Sequence, residues 1–139
     1  DNEQAKQSVD LISEFIDYAC ETYPVNSKNV TLLGFSQGTI LSYAVALNYP
    51  EKVKNVVALS GYINDDILPN NIDEKDVAHL SFFCSHGSVD QVIPVNWARK
   101  APEFLKALNI DYKYSEYPVG HGVAPQNFYD FRNWIEKRV

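Results

Sequence analysis

The sequence lacks a surplus of basic residues and lacks any long apolar run. It contains 12 lysines and arginines against 18 aspartates and glutamates, for a formal net charge of −6. A chain of this charge neutralises few phosphates, so nucleic acids and anionic membrane surfaces are excluded as expected partners. The longest apolar stretches, such as Val56–Leu59 and Ala44–Leu47, fall well short of the roughly 20 residues that cross a bilayer. We therefore expect no membrane-spanning segment.

Cysteine is also scarce. The two cysteines, Cys20 and Cys84, have neither the spacing of a metal site nor that of a disulfide framework. Because both lie in apolar patterns, we expect them to be buried, reduced thiols. We expect no bound metal and no cofactor.

The length and composition favour one domain. A chain of 139 residues, 45% of them hydrophobic, can bury one core but not two, so we assign residues 1–139 to a single domain. The segment from Asp1 to Tyr23 has a helical pattern with no strand before it, and we therefore expect the domain to be incomplete at its N-terminus. A cytoplasmic location is expected, since no signal peptide is visible in the sequence.

Helical and strand patterns alternate along the chain. The predicted helices cover Asp1–Tyr23, Gln37–Leu47, a stretch from Pro94 towards Leu108 with a kink or break at Pro102, and a closing stretch from Pro125. The predicted strands cover Val30–Gly34, Val53–Ser60, Leu80–Cys84 and Tyr112–Tyr117. The inward faces of the first and last helices are predicted to include Phe15, Tyr23, Phe128, Phe131 and Ile135. Such alternation predicts an α/β fold with a parallel sheet, helices on both of its faces, and ligands at the carboxyl ends of its strands.

Residues 34–38 form a G-x-S-x-G motif between a predicted strand and a predicted helix. Gly34 and Gly38 keep this strained turn free of Cβ clashes, so that the Ser36 hydroxyl is lifted above the sheet as a nucleophile. The backbone N–H of Gln37 would then lie at a helix N-terminus, where it can stabilise an oxyanion. The alternative is an ordinary glycine-flanked turn, and the strand before it and the helix after it favour the functional interpretation.

A serine nucleophile needs a histidine base that is oriented by a carboxylate. His79 precedes a strand and is interpreted as structural, and His86 lies at a strand end. His121, in Gly-His-Gly after the last strand, is the histidine that fits the order serine, acid, histidine with Asp90 as the acid. The rival acids are Asp65 and Asp66, in the polar and acidic surface excursion Gly61–Ala78. The non-catalytic alternatives are that Asp90 caps a turn before the next helix and that His121 belongs to an ordinary surface loop.

Three motifs together resemble the phospholipase/carboxylesterase family of α/β hydrolases, which includes acyl-protein thioesterases. They are the pentapeptide at 34–38, the segment His86-Gly-x-x-Asp90-x-Val92-Ile-Pro94, and Gly-His-Gly at 120–122. The resemblance runs from about Tyr23 to the C-terminus. It implies an α/β-hydrolase fold without its N-terminal strands, with Ser36, Asp90 and His121 as a catalytic triad and Gln37 as an oxyanion donor.

The chain departs from the family pattern in two respects. Thr39 stands where the family usually has glycine or alanine, so the packing of the helix after the motif is expected to differ. The family's first strands and its loop with a second oxyanion donor have no counterpart here, which leaves one side of the Val30–Leu33 strand exposed. We expect a homodimer or a separate N-terminal segment to cover that edge.

The leading hypothesis is a hydrolase of small carboxylic esters or thioesters that works through an acyl-enzyme. The alternatives are a catalytically silent interaction or ligand-binding domain and an amide-cleaving peptidase of the same fold. An acyl pocket is a further expectation, provided that the acidic excursion folds back over the serine; its residues are otherwise loop anchors. The pocket candidates are Phe35, Tyr62, Ile67, Leu68 and Val92.

Overall fold

A computed structural model describes residues 1–139 and consists of alternating helices and strands. The helices are α1 (Asn2–Thr22), α2 (Gln37–Asn48), α3 (Glu74–Val77), α4 (Val95–Ala98), α5 (Lys100–Ala107) and α6 (Pro125–Glu136). The strands are β1 (Thr31–Phe35), β2 (Asn55–Leu59), β3 (Ser81–Gly87) and β4 (Asp111–Tyr117). Short 3-10 turns at Pro50–Lys52 and Asp65–Ile67 complete the elements. None of the helices has both the length and the apolar character needed to cross a membrane.

The strands form one parallel sheet in the order β1-β2-β3-β4. Each strand pairs with the next one along the chain, so the intervening segments act as crossover connections. Because all four strands run in one direction, the loops that follow them meet at the same edge of the sheet. The prediction of a parallel sheet is confirmed, and this edge carries the candidate site.

Helices cover both faces of the sheet, as predicted. The larger core cluster joins α1, α2 and α5 to one face, and Val56, Phe82 and Leu105 are fully buried within it. On the other face Val57, Leu59 and Phe83 pack against Phe131 and Trp134 of α6. β2 is buried along its whole length, since it is central in the sheet and covered on both faces. This burial on both faces explains why β2 is a continuous apolar run in the sequence.

Several predicted inward-facing side chains are in fact exposed. Phe15, Tyr23 and Phe128 are each more than half exposed, at 64%, 54% and 53%. Periodicity alone marks a stripe wider than the strip of helix that is packed, and Phe15 and Phe128 lie outside that strip, whereas Tyr23 follows the end of α1 in an extended conformation. Cys20 is half-buried rather than buried, whereas Cys84 is buried and its burial raises the thiol pKa to about 12.

The helix predicted after Pro94 is interrupted, but at Arg99 rather than at Pro102. A proline has no N–H to donate to the carbonyl four residues earlier, and its ring crowds that carbonyl. For Pro102 that residue is Ala98, where α4 ends. Pro102 itself lies in the first turn of α5, where no helical partner is needed for its nitrogen. The break therefore lies one turn upstream of the proline that causes it.

The excursion at residues 61–78 is only partly a surface feature. Its acidic residues are mostly exposed, but Ile67 and Val77 are 3% and 0% exposed and belong to the main core. At one edge of the sheet β1 has a single strand partner, and Leu33 is 54% exposed there. A second copy of the chain or a separate segment over this edge remains a prediction.

Candidate active site

Ser36 lies between β1 and α2 in a strained backbone conformation. Its φ of 56° and ψ of −114° fall in a region that residues with a side chain rarely adopt, at a cost of about 1–3 kcal/mol. Its N–H donates to the carbonyl of Leu59 at 2.9 Å, which attaches the turn to the end of β2. A Cβ on Gly34 would overlap the carbonyl of Gly38, so glycine is required at position 34. A Cβ on Gly38 would meet nothing, and steric crowding explains only the first glycine.

Thr39 secures the same turn from within α2. Its Oγ1 is fully buried and lies 2.7 Å from the carbonyl oxygen of Gly34 and 2.6 Å from that of Leu59. A hydroxyl has one proton, so it donates to one of these carbonyls at a time. The loop after β2 also packs here, since a Cβ on Gly61 would lie 2.6 Å from the Cβ of Thr39. Thr39 therefore links the helix to two strand ends, and a difference from the family's packing at position 39 remains a prediction.

We predict that Thr39→Val lowers the free energy of unfolding by about 1–3 kcal/mol, because it removes a buried donor while keeping nearly the same shape. Thr39→Ser, which keeps the hydroxyl, serves as the matched control and should lose less. Urea unfolding of both variants tests this prediction. A Thr39→Val variant as stable as Thr39→Ser would contradict it.

The structure brings Ser36, His121 and Asp90 into one hydrogen-bonded chain. Nε2 of His121 lies 3.0 Å from the Oγ of Ser36, and Nδ1 lies 2.7 Å from the Oδ2 of Asp90. The three residues follow β1, β4 and β3, so they meet because the carboxyl ends of parallel strands share one edge. Ser36 and His121 are 85 residues apart in the sequence, and the parallel sheet brings the ends of their strands together.

Asp90 is held as a carboxylate. Its side chain has no exposed surface, and its Oδ1 accepts the backbone N–H groups of Val92 at 2.8 Å and Ile93 at 2.9 Å. Burial by itself would raise the carboxyl pKa, but the hydrogen bonds from His121, Ile93 and Val92 outweigh it and hold the pKa below its usual value. A carboxylate only accepts, so the proton of this imidazole is on Nδ1 and Nε2 is free to accept from the Ser36 hydroxyl.

The loop that carries His121 packs tightly on the end of β3. A Cβ on Gly87 would overlap the carbonyl oxygens of Gly120 and Val119, so only glycine permits this approach. The ring of Phe35 lies 5.0 Å from the imidazole, centroid to centroid, and forms a second support. The His121 side chain is 19% exposed and therefore remains accessible from solvent.

Gln37 is the first residue of α2, so its N–H has no acceptor within the helix. It also donates to no backbone carbonyl outside the helix. This unpaired N–H follows Ser36 directly and lies at the positive end of the helix dipole, which makes it suited to stabilise negative charge. The sequence prediction that Gln37 donates to an oxyanion required its N–H to lie at the N-terminus of a helix, and the structure has it there.

The other acids and histidines lie elsewhere, with one exception. Asp65 and Asp66 belong to an exposed 3-10 turn, where Asp66 accepts from the side chain of Asn2 at 3.1 Å. His79 contacts the carbonyls of Pro50 and Val53, at the opposite ends of the strands. His86 is the exception, because it is buried beside Asp90, and only the three-dimensional contact identifies it.

The five pocket candidates do not form one pocket. Ile67 lies in the core, and Leu68 lines a groove with Phe104 and Leu108 that does not include Ser36. The excursion therefore does not place these two side chains over the serine, and they act as the loop anchors that were the alternative. Tyr62 packs edge-on against Trp97 at 5.2 Å. The remaining two, Phe35 and Val92, are 42% and 65% exposed.

Comparison with known proteins gives a family match over the whole chain. A family model described as Phospholipase/Carboxylesterase matches residues 1–139. A probable carboxylesterase SOBER1-like from Arabidopsis thaliana is 27% identical over 83% of this chain and 44% of its own length. Acyl-protein thioesterase 1 from Yarrowia lipolytica is 31% identical over 83% of this chain and 52% of its own. The chain thus spans about half the length of these curated relatives.

Solved structures show the same fold. The Bacillus cereus carboxylesterase superposes with a TM-score of 0.87 over 100% of this chain and 64% of its own, at 19% identity. Arabidopsis thaliana SOBER1 superposes with a TM-score of 0.79 over 99% of this chain and 66% of its own, at 23% identity. The expected α/β-hydrolase fold is confirmed.

Proposed function

Since the chain belongs to the phospholipase/carboxylesterase family, we propose that it is a serine hydrolase that cleaves carboxylic esters or thioesters through an acyl-enzyme. The observation that carries the proposal is the hydrogen-bonded chain from Ser36 through His121 to Asp90, at 3.0 and 2.7 Å. Names of relatives, which include carboxylesterases and acyl-protein thioesterases, support the reaction class.

In the proposed mechanism the Ser36 Oγ attacks the substrate carbonyl carbon while Nε2 of His121 accepts the hydroxyl proton. The carbonyl oxygen becomes an oxyanion, and the Gln37 N–H stabilises it. The intermediate collapses to the acyl-enzyme, and His121 returns its proton to the leaving alcohol or thiol. Water then attacks the acyl group by the same steps and restores the serine. Asp90 holds the Nδ1–H tautomer and stabilises the imidazolium that forms twice in the cycle.

We further propose that Phe35 and Val92 contact the acyl group, because they are exposed apolar side chains beside Ser36 and Asp90 in the chain. The proposed substrate is a small ester or thioester. The exposed β1 edge belongs to the proposal as well: a homodimer or a separate segment would cover Leu33 there.

Covalent labelling tests the proposal directly. A fluorophosphonate probe is expected to modify the native chain stoichiometrically at Ser36, since the histidine increases the nucleophilicity of this hydroxyl. Mass spectrometry of the intact protein and of its peptides measures the extent and the site.

Ser36→Ala and urea-unfolded protein are the controls, and neither should react. If the native chain stays unlabelled, the alternative of a silent interaction domain is favoured over the enzyme. Labelling at another serine would reject the assignment of Ser36.

A further inference from the structure

His86 is a buried histidine that the proposed mechanism does not use. It lies at the end of β3, and its side chain has no exposed surface. Its Nε2 is 2.8 Å from the carbonyl oxygen of Ile93 and 3.2 Å from the Oδ2 of Asp90. The carboxylate is therefore flanked by two imidazoles, with His121 on the other side.

The surroundings of His86 determine where its proton lies. A carbonyl oxygen can only accept, so Nε2 carries the proton and donates it to Ile93. Nδ1 is buried and has no hydrogen-bond partner. The nitrogen that carries the proton, Nε2, is thus the one that lies 3.2 Å from the Oδ2 of Asp90.

The Nε2–H of His86 holds the loop that carries Asp90 in place through the carbonyl of Ile93. Ile93 is held from both sides, because its N–H donates to Asp90 and its carbonyl accepts from His86. Oδ1 of Asp90 is occupied by backbone donors, so Oδ2 is left for His121. The His86 Nε2 lies 3.2 Å from that same Oδ2, and the partial positive charge of its N–H favours the carboxylate although the hydrogen bond itself goes to Ile93.

The other charged group near His86 is already paired. Glu116 lies opposite His86 in the register of β3 and β4. Arg99 donates two hydrogen bonds to Glu116 at 2.7 and 2.8 Å, and the Tyr114 hydroxyl donates a third at 2.7 Å. The hydrogen bonds from Arg99, which have the largest effect, and from Tyr114 lower the Glu116 pKa to about 2. Asp90, whose Oδ2 lies 3.2 Å from Nε2, is the carboxylate in close contact with His86.

We propose that His86 is a positioning residue for the reaction. It holds the loop at residues 87–93 closed and aims the Oδ2 of Asp90 at His121, while it lowers the negative potential of that oxygen. The proposal rests on the proposed function. It goes beyond it because the serine, histidine and acid of the mechanism need no second histidine.

His86→Leu removes the N–H at similar bulk and is expected to lower kcat by roughly 10²-fold, because a misplacement of about 1 Å has effects of that size. KM for p-nitrophenyl acetate should be nearly unchanged, since His86 does not reach the substrate. Without the N–H dipole the Asp90 carboxylate stabilises the His121 imidazolium more strongly, so the acid limb of the kcat/KM profile should move to higher pH. A loss of folded protein alone would not move that limb.

His86→Gln and His86→Asn form the matched pair. The longer amide can place an N–H near the Nε2 position and should recover most of kcat, whereas the shorter one cannot. If His86→Leu does not fold, the comparison of kcat between the two amide variants tests the proposal instead. His79→Leu, which removes a histidine far from Asp90, should leave kcat and the acid limb unchanged.

Equal kcat and an unmoved acid limb in His86→Leu, or equal kcat in the two amide variants, would overturn the proposal. Failure of the proposed function is distinguishable, since the wild-type chain would then show neither turnover nor fluorophosphonate labelling. If the wild-type chain is active and substitutions at position 86 change neither kcat nor the acid limb, only the proposed role of His86 is rejected and the proposed function stands.

Discussion

Ser36→Ala is expected to lower kcat for p-nitrophenyl acetate by about 10⁴- to 10⁶-fold, and His121→Ala by a similar factor. The two residues act as one unit, because the hydroxyl is a weak nucleophile until Nε2, 3.0 Å away, accepts its proton. For the same reason the double variant should be hardly worse than either single variant. Steady-state kinetics on purified proteins measure all three.

Ser8→Ala is the control for loss of a serine hydroxyl, since Ser8 lies on α1 and its hydroxyl donates to the carbonyl of Gln4 in the preceding turn of the same helix. It should retain wild-type activity. Full activity in Ser36→Ala would reject the proposed nucleophile. A double variant whose losses multiply would reject the idea that the two residues act together.

Asp90→Asn is expected to lower kcat by about 10⁴-fold with little change in the fold. The backbone N–H groups of Val92 and Ile93 require an acceptor at Oδ1, so the amide oxygen should take that place. The amide NH₂ then faces Nδ1 of His121, which must accept and so moves its proton to Nε2. In that tautomer Nε2 cannot accept the Ser36 proton.

Asp65→Asn and Asp66→Asn are the controls, because these were the rival acids and both lie in an exposed turn. If either costs more activity than Asp90→Asn, the acid has been assigned wrongly.

Unfolding experiments at several pH values test the ionised state of Asp90 separately. Its folded-state pKa is lowered, so its contribution to stability is present above the usual carboxyl pKa of about 3.9 and is lost as pH falls through the folded value. The stability difference between wild type and Asp90→Asn should therefore shrink below about pH 4.

Much of the fold was predictable because its signals are local. The apolar runs of β1, β2 and β3 and the alternating pattern of β4 correspond to strands of the structure. Their bounds shifted where tertiary contacts intervene: β2 begins at Asn55, after the Pro50–Lys52 turn, and β3 continues to Gly87. The exposure of Phe15 and Phe128 was not predictable, because a helical pattern does not show how wide its contact face is.

The candidate site divides in the same way. The motif at 34–38 predicted a strained turn, and the backbone of Ser36 has a φ of 56°. The order of the motifs predicted that Asp90 and His121 would meet Ser36, and the distances agree, while their catalytic roles stay a prediction. Thr39 and His86 were noticed in the sequence, but their hydrogen-bond partners were not predictable, since those partners lie on other strands or loops.

What the sequence by itself determined are the four strands and the longer helices, the parallel arrangement of the strands and the residues placed at the carboxyl ends of strands. These follow from periodicity, from glycine at a crowded turn and from chain order, all of which act over a few residues or one crossover. Only the tertiary structure decided which side chains are buried, that the Thr39 hydroxyl reaches the Leu59 carbonyl, and that the His86 imidazole lies beside Asp90. Hydrogen bonds depend on atomic positions within tenths of an ångström, and those positions are set by the packing of the whole sheet.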